Sequence, residues 1–315
     1  MRISENIYAS TIQLSPETPL HVYLVKGENF SVLIDSGVKS MFSELCQLFD
    51  EAGVVPQSLK YVLHTHSHHD HIGCNRQLKD LTGCMIVAHP FYADWHRNFQ
   101  THYREFALMF PDIIGDSAEL RAEVFDPLDG EVPLDLTICE GTKIYPGGDT
   151  ILEAFSFPGH MKAEFGYLEH SKRTLILGDA ITGLNWGIFH SHLDVQGYRN
   201  SLKKIRQVIE GYQVERVLLS HFGVKTPEEA IQLTRDAEDY VDQIEYNLLR
   251  SFVEHSTTTL RQLWLDVCQR MNRKAEFRAL NMVNAHVEDL LQREIIRKVD
   301  DKTYRLRGGD ANHNS

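Results

Sequence analysis

The short stretch from His66 to His71 holds four histidines and one aspartate. Histidine and carboxylate side chains are preferred ligands of zinc and other borderline divalent metals. In an extended segment, residues i and i+2 point the same way, so His66 and His68 can hold one metal ion. Asp70 and His71 lie past the bend and would point toward a second ion. Two ions about 3.5–4 Å apart could then share a water or hydroxide.

The elements around this stretch are suited to hold it rigidly. Residues 61–63 form a β-branched and aromatic run that predicts the end of a strand, and residues 72–81 predict the start of a helix. A strand that ends in a loop of ligands is a good scaffold for a metal site. The alternative interpretation is a histidine-rich surface loop. We interpret His64 and His69 as structural residues or as residues that support the ligands from behind, and we do not interpret Ser67 as a nucleophile.

Three further candidate ligands each follow a short strand-like run. These are His160 after residues 155–157, Asp179 after residues 174–177, and His221 after residues 216–220. A glycine or another small residue lies beside each of them and lets the chain turn away. With the loop that begins at His66, four strands deliver a histidine or aspartate at their carboxyl ends. This repetition predicts one common site at an edge of stacked sheets.

The order of these pieces resembles the metallo-β-lactamase superfamily. The motif series reads Leu33-Ile34-Asp35-Ser36-Gly37, Thr65-His66-Ser67-His68-His69-Asp70-His71, Pro158-Gly159-His160, Gly178-Asp179-Ala180 and Ser220-His221-Phe222-Gly223. The set is highly specific, whereas one short piece such as Pro-Gly-His is not. The resemblance covers roughly residues 1–225. It implies an α+β fold, an αββα sandwich with the site along one edge of the two sheets.

The resemblance also implies a role for each residue of the series. Seven side chains match the ligands of two metal ions: His66, His68 and His160 for the first, Asp70, His71 and His221 for the second, and Asp179 as a bridging carboxylate. Asp35 matches an acid that orients a ligand histidine or the loop rather than binding metal. Cys74 departs from the family pattern, where a second glycine is common, and we interpret it as a small core residue.

The chain is predicted to have two folded parts. Residues 1–225 form the metallo-β-lactamase-like domain, in which residues 91–132 insert one or two helices as a lid or substrate wall. Residues 226–307 form a small, mainly helical C-terminal domain that resembles a winged helix, and residues 308–315 are expected to be a disordered tail. A DNA-reading role is the sharper hypothesis for this domain. We favour a dimerisation or substrate-wall element, because the net positive charge of this domain is slight and no basic stripe runs along its second helix.

Composition limits the classes of partner. The 315 residues carry a net charge of -12, which disfavours nucleic acid and anionic membranes as partners. No apolar run approaches the roughly 20 residues of a membrane span, and the N-terminus lacks an apolar signal core. The five cysteines are scattered and odd in number, as expected for reduced thiols. We therefore expect a cytoplasmic protein that binds a small-molecule substrate, with a homodimer as an open alternative.

The expected activity is metal-dependent hydrolysis with two zinc ions, or alternatively iron or manganese. A hydroxide between the ions would attack an acyl carbon of a small ester, thioester or lactone, and Asp70 would take or relay a proton to the leaving group. The alternatives are a persulfide dioxygenase with one iron, a phosphodiesterase or nuclease, and a ligand-binding regulatory protein on a hydrolase scaffold. His190 and His192 could reach substrate, although such histidines are more often exposed.

Overall fold

The computed structural model describes residues 1–16, 18–182 and 192–307. Its first sheet has six strands in the order β1-β2-β3-β4-β5-β6. Their bounds are Ile7–Ser15 (β1), Thr18–Lys26 (β2), Ser31–Ile34 (β3), Leu59–Leu63 (β4), Met85–Ala88 (β5) and Leu136–Thr137 (β6). The β2–β3 hairpin, β4 and β5 were predicted from the sequence, whereas β1 was missed because its second half is exposed and has no apolar run.

The second sheet also has six strands, in the order β12-β11-β10-β9-β8-β7. Their bounds are Lys143–Gly147 (β7), Thr150–Ser156 (β8), Phe165–Glu169 (β9), Thr174–Leu177 (β10), Arg216–Leu219 (β11) and Gly223–Lys225 (β12). Strands β10 and β11 are parallel, and β9 is antiparallel to both β8 and β10. Strands β8, β10 and β11 therefore run in one direction and deliver the residues that follow them to one edge of the sheet.

Helices cover the outer faces of the two sheets. Helices α1 (Phe42–Ala52) and α2 (Asn75–Thr82) pack on the first sheet, and α6 (Val195–Gly211) packs on the second. Between the sheets lies an apolar core that contains Tyr23 and Phe165. The expected αββα sandwich is confirmed.

The insertion at residues 91–132 contains three helices rather than one or two. They are α3 (Ala93–Arg97), α4 (Phe99–Phe106) and α5 (Ala118–Phe125). Asn98 and Ser117 cap the starts of α4 and α5 by accepting backbone hydrogen bonds, so two polar residues divide the aromatic-rich segment into short helices.

Helix α7 (Pro227–Glu254) begins with Thr226 and Glu229 in reciprocal capping hydrogen bonds. Its first half packs on the second sheet through Ala237, and its second half packs on the C-terminal helices through Leu248. The division of the chain at residues 225 and 226 stays a prediction, because this helix joins both cores.

The C-terminal part has the expected helices followed by a hairpin. Helices α8 (Leu260–Arg270) and α9 (Phe277–Gln292) precede strands β14 (Ile296–Lys298) and β15 (Thr303–Leu306), and the two-residue strand β13 (Thr258–Thr259) pairs with β15. The predicted tail at 308–315 lies outside the described residues. Within the described part of the chain, no helix is long and apolar enough to cross a membrane.

Candidate metal centre

Three histidine nitrogens converge where β4 and β8 end. Nε2 of His66 and Nε2 of His160 each lie 3.1 Å from Nδ1 of His68. All three side chains, which we name the first triad, are buried. Two donors on one zinc ion, each at about 2.0–2.2 Å, lie no more than about 4.4 Å apart. The spacing therefore suits three nitrogens that share one cation.

A second group, the second triad, comprises Asp70, His71 and His221. Oδ2 of Asp70 lies 3.7 Å from Nε2 of His71 and 3.4 Å from Nε2 of His221. Oδ2 of Asp179 lies 3.7 Å from Nε2 of His160, 3.9 Å from that of His71 and 3.4 Å from that of His221. This carboxylate therefore reaches both triads, as a bridging ligand would.

The outward nitrogens of three of these histidines are held by other groups. Nδ1 of His71 donates to Asp35, and Nδ1 of His221 donates to the main-chain oxygen of Pro19, so that Nε2 of each ring faces the carboxylates of the centre. Nδ1 of His66 lies 3.0 Å from Oγ1 of Thr65, whose hydroxyl donates to Asp35. Hydrogen bonds of this kind fix the tautomer and orientation of histidines that bind metals.

A buried histidine nitrogen without a partner indicates, independently of the family resemblance, that the donor set fits a metal ion. Nε2 of His71 is buried and has no hydrogen-bond partner. Buried polar atoms without a partner cost free energy, and a cation bound among these donors would satisfy this one. The described residues contain three overlapping groups whose donor atoms lie within 4.8 Å of one another, all drawn from the two triads and Asp179. The centre can therefore bind metal ions.

Asp35 occupies a strained backbone position. Its φ is 61°, in the left-handed region that an aspartate rarely adopts. The conformation lets its carboxylate accept hydrogen bonds from the backbone N–H and the hydroxyl of Thr65 as well as from His71. One side chain thus holds the ligand loop and one of its histidines.

The ionisation of the second triad favours a bound cation. Burial opposes ionisation of Asp70 and Asp179, yet nearby histidines hold the pKa of both carboxyls well below its usual range. Burial would also lower the pKa of His71, but Asp70, Asp35 and Asp179 raise it to about 9. Burial would lower the pKa of His221 as well, but Asp179 and Asp70 hold it well above its usual range. A metal ion must therefore displace protons from the second triad.

A family model described as the metallo-beta-lactamase superfamily matches residues 16–221. The chain belongs to this superfamily. Members of the superfamily are metal-dependent hydrolases, which agrees with the class of enzyme that the sequence predicts.

Two solved structures share the fold over nearly the whole chain. A metallo-beta-lactamase family protein from Thermus thermophilus superposes with a TM-score of 0.74 at 18% identity, covering 97% of this chain and 100% of the other. A beta-lactamase domain protein from Burkholderia ambifaria gives a TM-score of 0.72 at 16% identity, with 97% and 94% coverage. The C-terminal helices of this superfamily member therefore belong to an architecture found in both.

Two curated relatives match about half of this chain. The uncharacterized protein YobT of Bacillus subtilis is 29% identical over 164 residues, which is 51% of this chain and 62% of that protein. The hydroxyacylglutathione hydrolase of Pelagibacter ubique is 24% identical over 155 residues, which is 48% of each. The matches thus span less than two thirds of these relatives.

A cavity of about 360 Å³ opens above the two triads of this superfamily member. Five of the candidate ligands line it: His68, Asp70, His160, Asp179 and His221. Other parts of the chain form its walls: Leu14, Ser15 and Thr18 from the β1–β2 hairpin, Val38 from the loop before α1, Phe106, Glu123 and Pro127 from the insertion, and Arg278 from α9. A small substrate with an apolar portion would fit between these walls.

The insertion and α9 meet beside this cavity. The rings of Phe106 and Phe277 lie 5.0 Å apart, and the side-chain amide of Asn281 donates to the main-chain oxygen of Phe106. A guanidinium nitrogen of Arg278 lies 2.6 Å from a carboxylate oxygen of Glu123. The insertion therefore lines the cavity and also packs its aromatics on the protein, and α9 completes the same side of the cavity. Its role as a lid or substrate wall stays a prediction.

The other histidines of the ligand loop lie outside the metal-binding groups. Nε2 of His64 lies 2.9 Å from Oδ1 of Asn75, and the hydroxyl of Ser67 lies 3.0 Å from Nε2 of His96. Both contacts are buried, as expected of structural residues. His69 is also buried, but unlike His64 and Ser67 it lines the cavity.

The expectation for His192 was wrong. Its side chain is fully buried, stacks on Tyr198, and places Nε2 2.8 Å from Nε2 of His286 on α9. It is neither exposed nor among the residues that line the cavity. His190 lies outside the described residues.

Two residues near the site were missed by sequence reasoning. Glu164 is fully buried, and its carboxylate accepts a hydrogen bond from the main-chain N–H of Asp179. Arg278 reaches the cavity from a helix far along the chain. The position of Glu164 a few residues after His160 could have pointed to Glu164, whereas no local sequence pattern marks Arg278.

Proposed function

We propose that the protein is a binuclear metal-dependent hydrolase of a small ester, thioester or lactone. The position of Asp179 carries the proposal, because one carboxylate oxygen lies within 3.9 Å of histidines from both triads. A site for a single iron would use the first triad and would leave Asp70, His71 and His221 without a role. The convergence of all seven donors instead supports two ions.

Bound divalent ions would lower the pKa of a coordinated water toward neutrality and polarise the substrate carbonyl. The chain's own residues hold these ions, fix the donor tautomers and exclude bulk water from the floor of the cavity. Hydrolysis adds water across the acyl–oxygen or acyl–sulfur bond, and the leaving group must gain a proton. Asp70 is suited to move that proton because its side chain is 19% exposed and lines the cavity.

The size and the lining of the cavity support a small-molecule substrate with an acyl portion. A volume of about 360 Å³ suits a small molecule. Leu14, Val38 and Phe106 offer an apolar wall for an acyl portion. The distant relative that is a hydroxyacylglutathione hydrolase supports a thioester within this class.

The proposal is tested with zinc-loaded protein and a panel of small esters, thioesters and lactones. We expect hydrolysis of at least one class, and a loss of kcat/KM of at least about 100-fold in His68→Ala and Asp179→Ala. His170→Ala, which changes a histidine paired with Glu153 outside the cavity, is the control and should keep wild-type activity. Activity that survives Asp179→Ala, or no hydrolysis in any class, would refute the proposal.

A further inference from the structure

Phe106 lies beside a candidate metal ligand at the edge of the cavity. The centroid of its ring is 4.4 Å from that of the His68 ring, at an interplanar angle of 37°. Among the described residues that line the cavity, it is the only phenylalanine, tyrosine or tryptophan. Its side chain is 2% exposed, so the ring borders the cavity on one side and is packed in the protein on the others.

Contacts from α9 and from the insertion hold the ring in place. The ring of Phe277 packs edge-on against it at 5.0 Å between centroids, and the ring of His102 lies 5.7 Å away. Phe106 is the last residue of α4, where main-chain oxygens lack a helical partner. Its oxygen accepts a buried hydrogen bond of 2.8 Å from the side-chain amide of Asn281. Both the backbone and the ring of Phe106 are therefore fixed beside the cavity.

The ring separates the cavity from the core of the insertion. Phe106 belongs to a buried apolar cluster with Trp95 and Val124, neither of which lines the cavity. Protein interiors are close-packed, so a group bound beside His68 cannot extend past the ring without displacing it. A smaller side chain at this position would add its lost volume to the cavity, because the surrounding core relaxes only partly. The position of Phe106 thus sets the depth of the cavity on this side.

The reaction proposed above indicates which part of the substrate lies on this side. Asp70, the residue suited to give the leaving group its proton, belongs to the second triad, whereas His68 belongs to the first. A leaving group near Asp70 places the acyl group on the side of His68 and Phe106. The inference rests on the proposed function, because it needs the reacting carbonyl to lie over the two triads.

We propose that Phe106 is a specificity-determining residue that closes the acyl side of the cavity, so that the substrate carries only a short apolar chain on its acyl carbon. Methylenes of such a chain pack against the ring until the chain reaches it, and a longer chain meets fixed atoms. One methylene in a hydrophobic pocket changes kcat/KM by about 10–200-fold. The wild type should therefore prefer a butyryl substrate to an octanoyl substrate.

The rival explanation is that Phe106 only packs the insertion on the protein. The two explanations differ in one ratio, kcat/KM for an octanoyl substrate divided by kcat/KM for the butyryl substrate with the same leaving group. A loss of stability or of active protein lowers both values equally and leaves the ratio unchanged. A change in the shape of the acyl side of the cavity moves it.

The experiment measures this ratio in the wild type, Phe106→Leu and Phe106→Ala, in the ester or thioester class that the wild type hydrolyses. For lactones, the alkyl chain is carried on the ring carbon beside the carbonyl. The ratio should rise at least about 10-fold in Phe106→Ala and at least about threefold in Phe106→Leu, which removes less volume and carries the test if Phe106→Ala does not fold. A ratio within about twofold of wild type in the folded variants would overturn the inference, as would a wild type that prefers octanoyl.

Two controls make comparable changes at other positions. Phe49→Leu alters a fully buried phenylalanine packed on the first sheet, and Val124→Ala removes volume from the same cluster as Phe106. Neither residue lines the cavity, so both variants should keep the wild-type ratio within about twofold. An equal rise in Val124→Ala would overturn the inference, because any loosening of the insertion would then change the ratio.

A second series keeps the butyryl group and varies the leaving group. The preference among leaving groups should be the same in the wild type and in Phe106→Leu. A change in this series instead of the acyl series would place Phe106 on the side of the leaving group and overturn the assignment. A wild type that hydrolyses no ester, thioester or lactone would instead refute the proposed function itself.

Discussion

Oδ2 of Asp35 lies 2.9 Å from Nδ1 of His71, and the backbone of Asp35 adopts a left-handed φ of 61° to place it there. Strain of this kind persists only where the surrounding structure requires it. Here the same carboxylate also accepts two hydrogen bonds from Thr65, at the start of the ligand loop. The strained residue therefore serves the metal centre rather than the packing of the strand before it.

Asp35→Ala should weaken zinc binding roughly 10–100-fold, because His71 and the ligand loop lose their common acceptor. It should also lower the free energy of unfolding of the metal-free protein by about 1–3 kcal/mol, since buried donors lose their partner. Chelator competition and urea unfolding measure the two effects. Asp50→Ala, on the exposed side of α1, is the control, and an unchanged zinc affinity in Asp35→Ala would contradict this role.

Zinc binding should release protons. Because neighbouring carboxylates raise the pKa of His71 to about 9, its ring carries a proton at pH 7 that a metal ion must displace. Below pH 9, apparent affinity should therefore rise with pH by about tenfold per unit for each proton that zinc displaces. Calorimetry in two buffers of different ionisation enthalpy counts the protons, and a count of zero at pH 7 would show that His71 is already neutral.

The pair formed by His192 and His286 should make the fold sensitive to acid. Burial and the cations Arg199 and Arg293 lower the pKa of His286 to about 3, and burial holds that of His192 well below its usual range. An unfolded histidine titrates near pH 6.5, so below that pH only the unfolded chain takes up these protons. The stability from both neutral rings is complete above about pH 6.5 and is lost as pH falls.

The test compares the pH dependence of unfolding in the wild type and in His286→Asn. Between about pH 5.5 and 4, the variant should lose about 1.4 kcal/mol less per pH unit, since one titrating group is gone. Titration of the metal-centre histidines cancels in this comparison. Identical slopes in wild type and His286→Asn would contradict the assignment.

The sequence predicted much of the fold and the whole of the candidate ligand set, for a physical reason. His66, His160, Asp179 and His221 each follow an apolar strand. Strands β8, β10 and β11 run in one direction, which brings the last three residues to one edge of the second sheet. Their roles as metal ligands remain predictions. The strand β1 was missed because only its first half is buried.

Contacts between distant segments could not be predicted. His192 and His286 are separated by 94 residues, and Asn281 and Phe106 by 175. Neither pair shares a pattern that periodicity or spacing would reveal, because each depends on how α9 lies against the rest of the protein. The wall that Arg278 adds to the cavity depends on the same packing.

Arg278→Ala should change substrate binding more than chemistry. The guanidinium lines the cavity and pairs with Glu123, but it lies outside the groups of metal-binding donors. We expect a rise in KM of about 3–30-fold with kcat within about threefold, as for loss of binding that is equal in ground and transition states. Steady-state kinetics on the best substrate measures both constants.

Arg121→Ala is the control for this prediction. It breaks an exposed ion pair with Asp116 inside the insertion, at a position that does not line the cavity. Both kinetic constants should stay within about twofold of wild type. A fall in kcat with unchanged KM in Arg278→Ala would show that the residue acts on the reaction step instead.

The number of metal ions per chain tests the central claim most directly. Elemental analysis is made on protein purified without added metal and without a histidine tag, then repeated on His221→Ala. We expect close to two zinc ions per chain in the wild type and about one in the variant, because His221 belongs only to the second triad. A single iron retained equally by both proteins, or no metal even after zinc or iron is supplied, would contradict the binuclear centre.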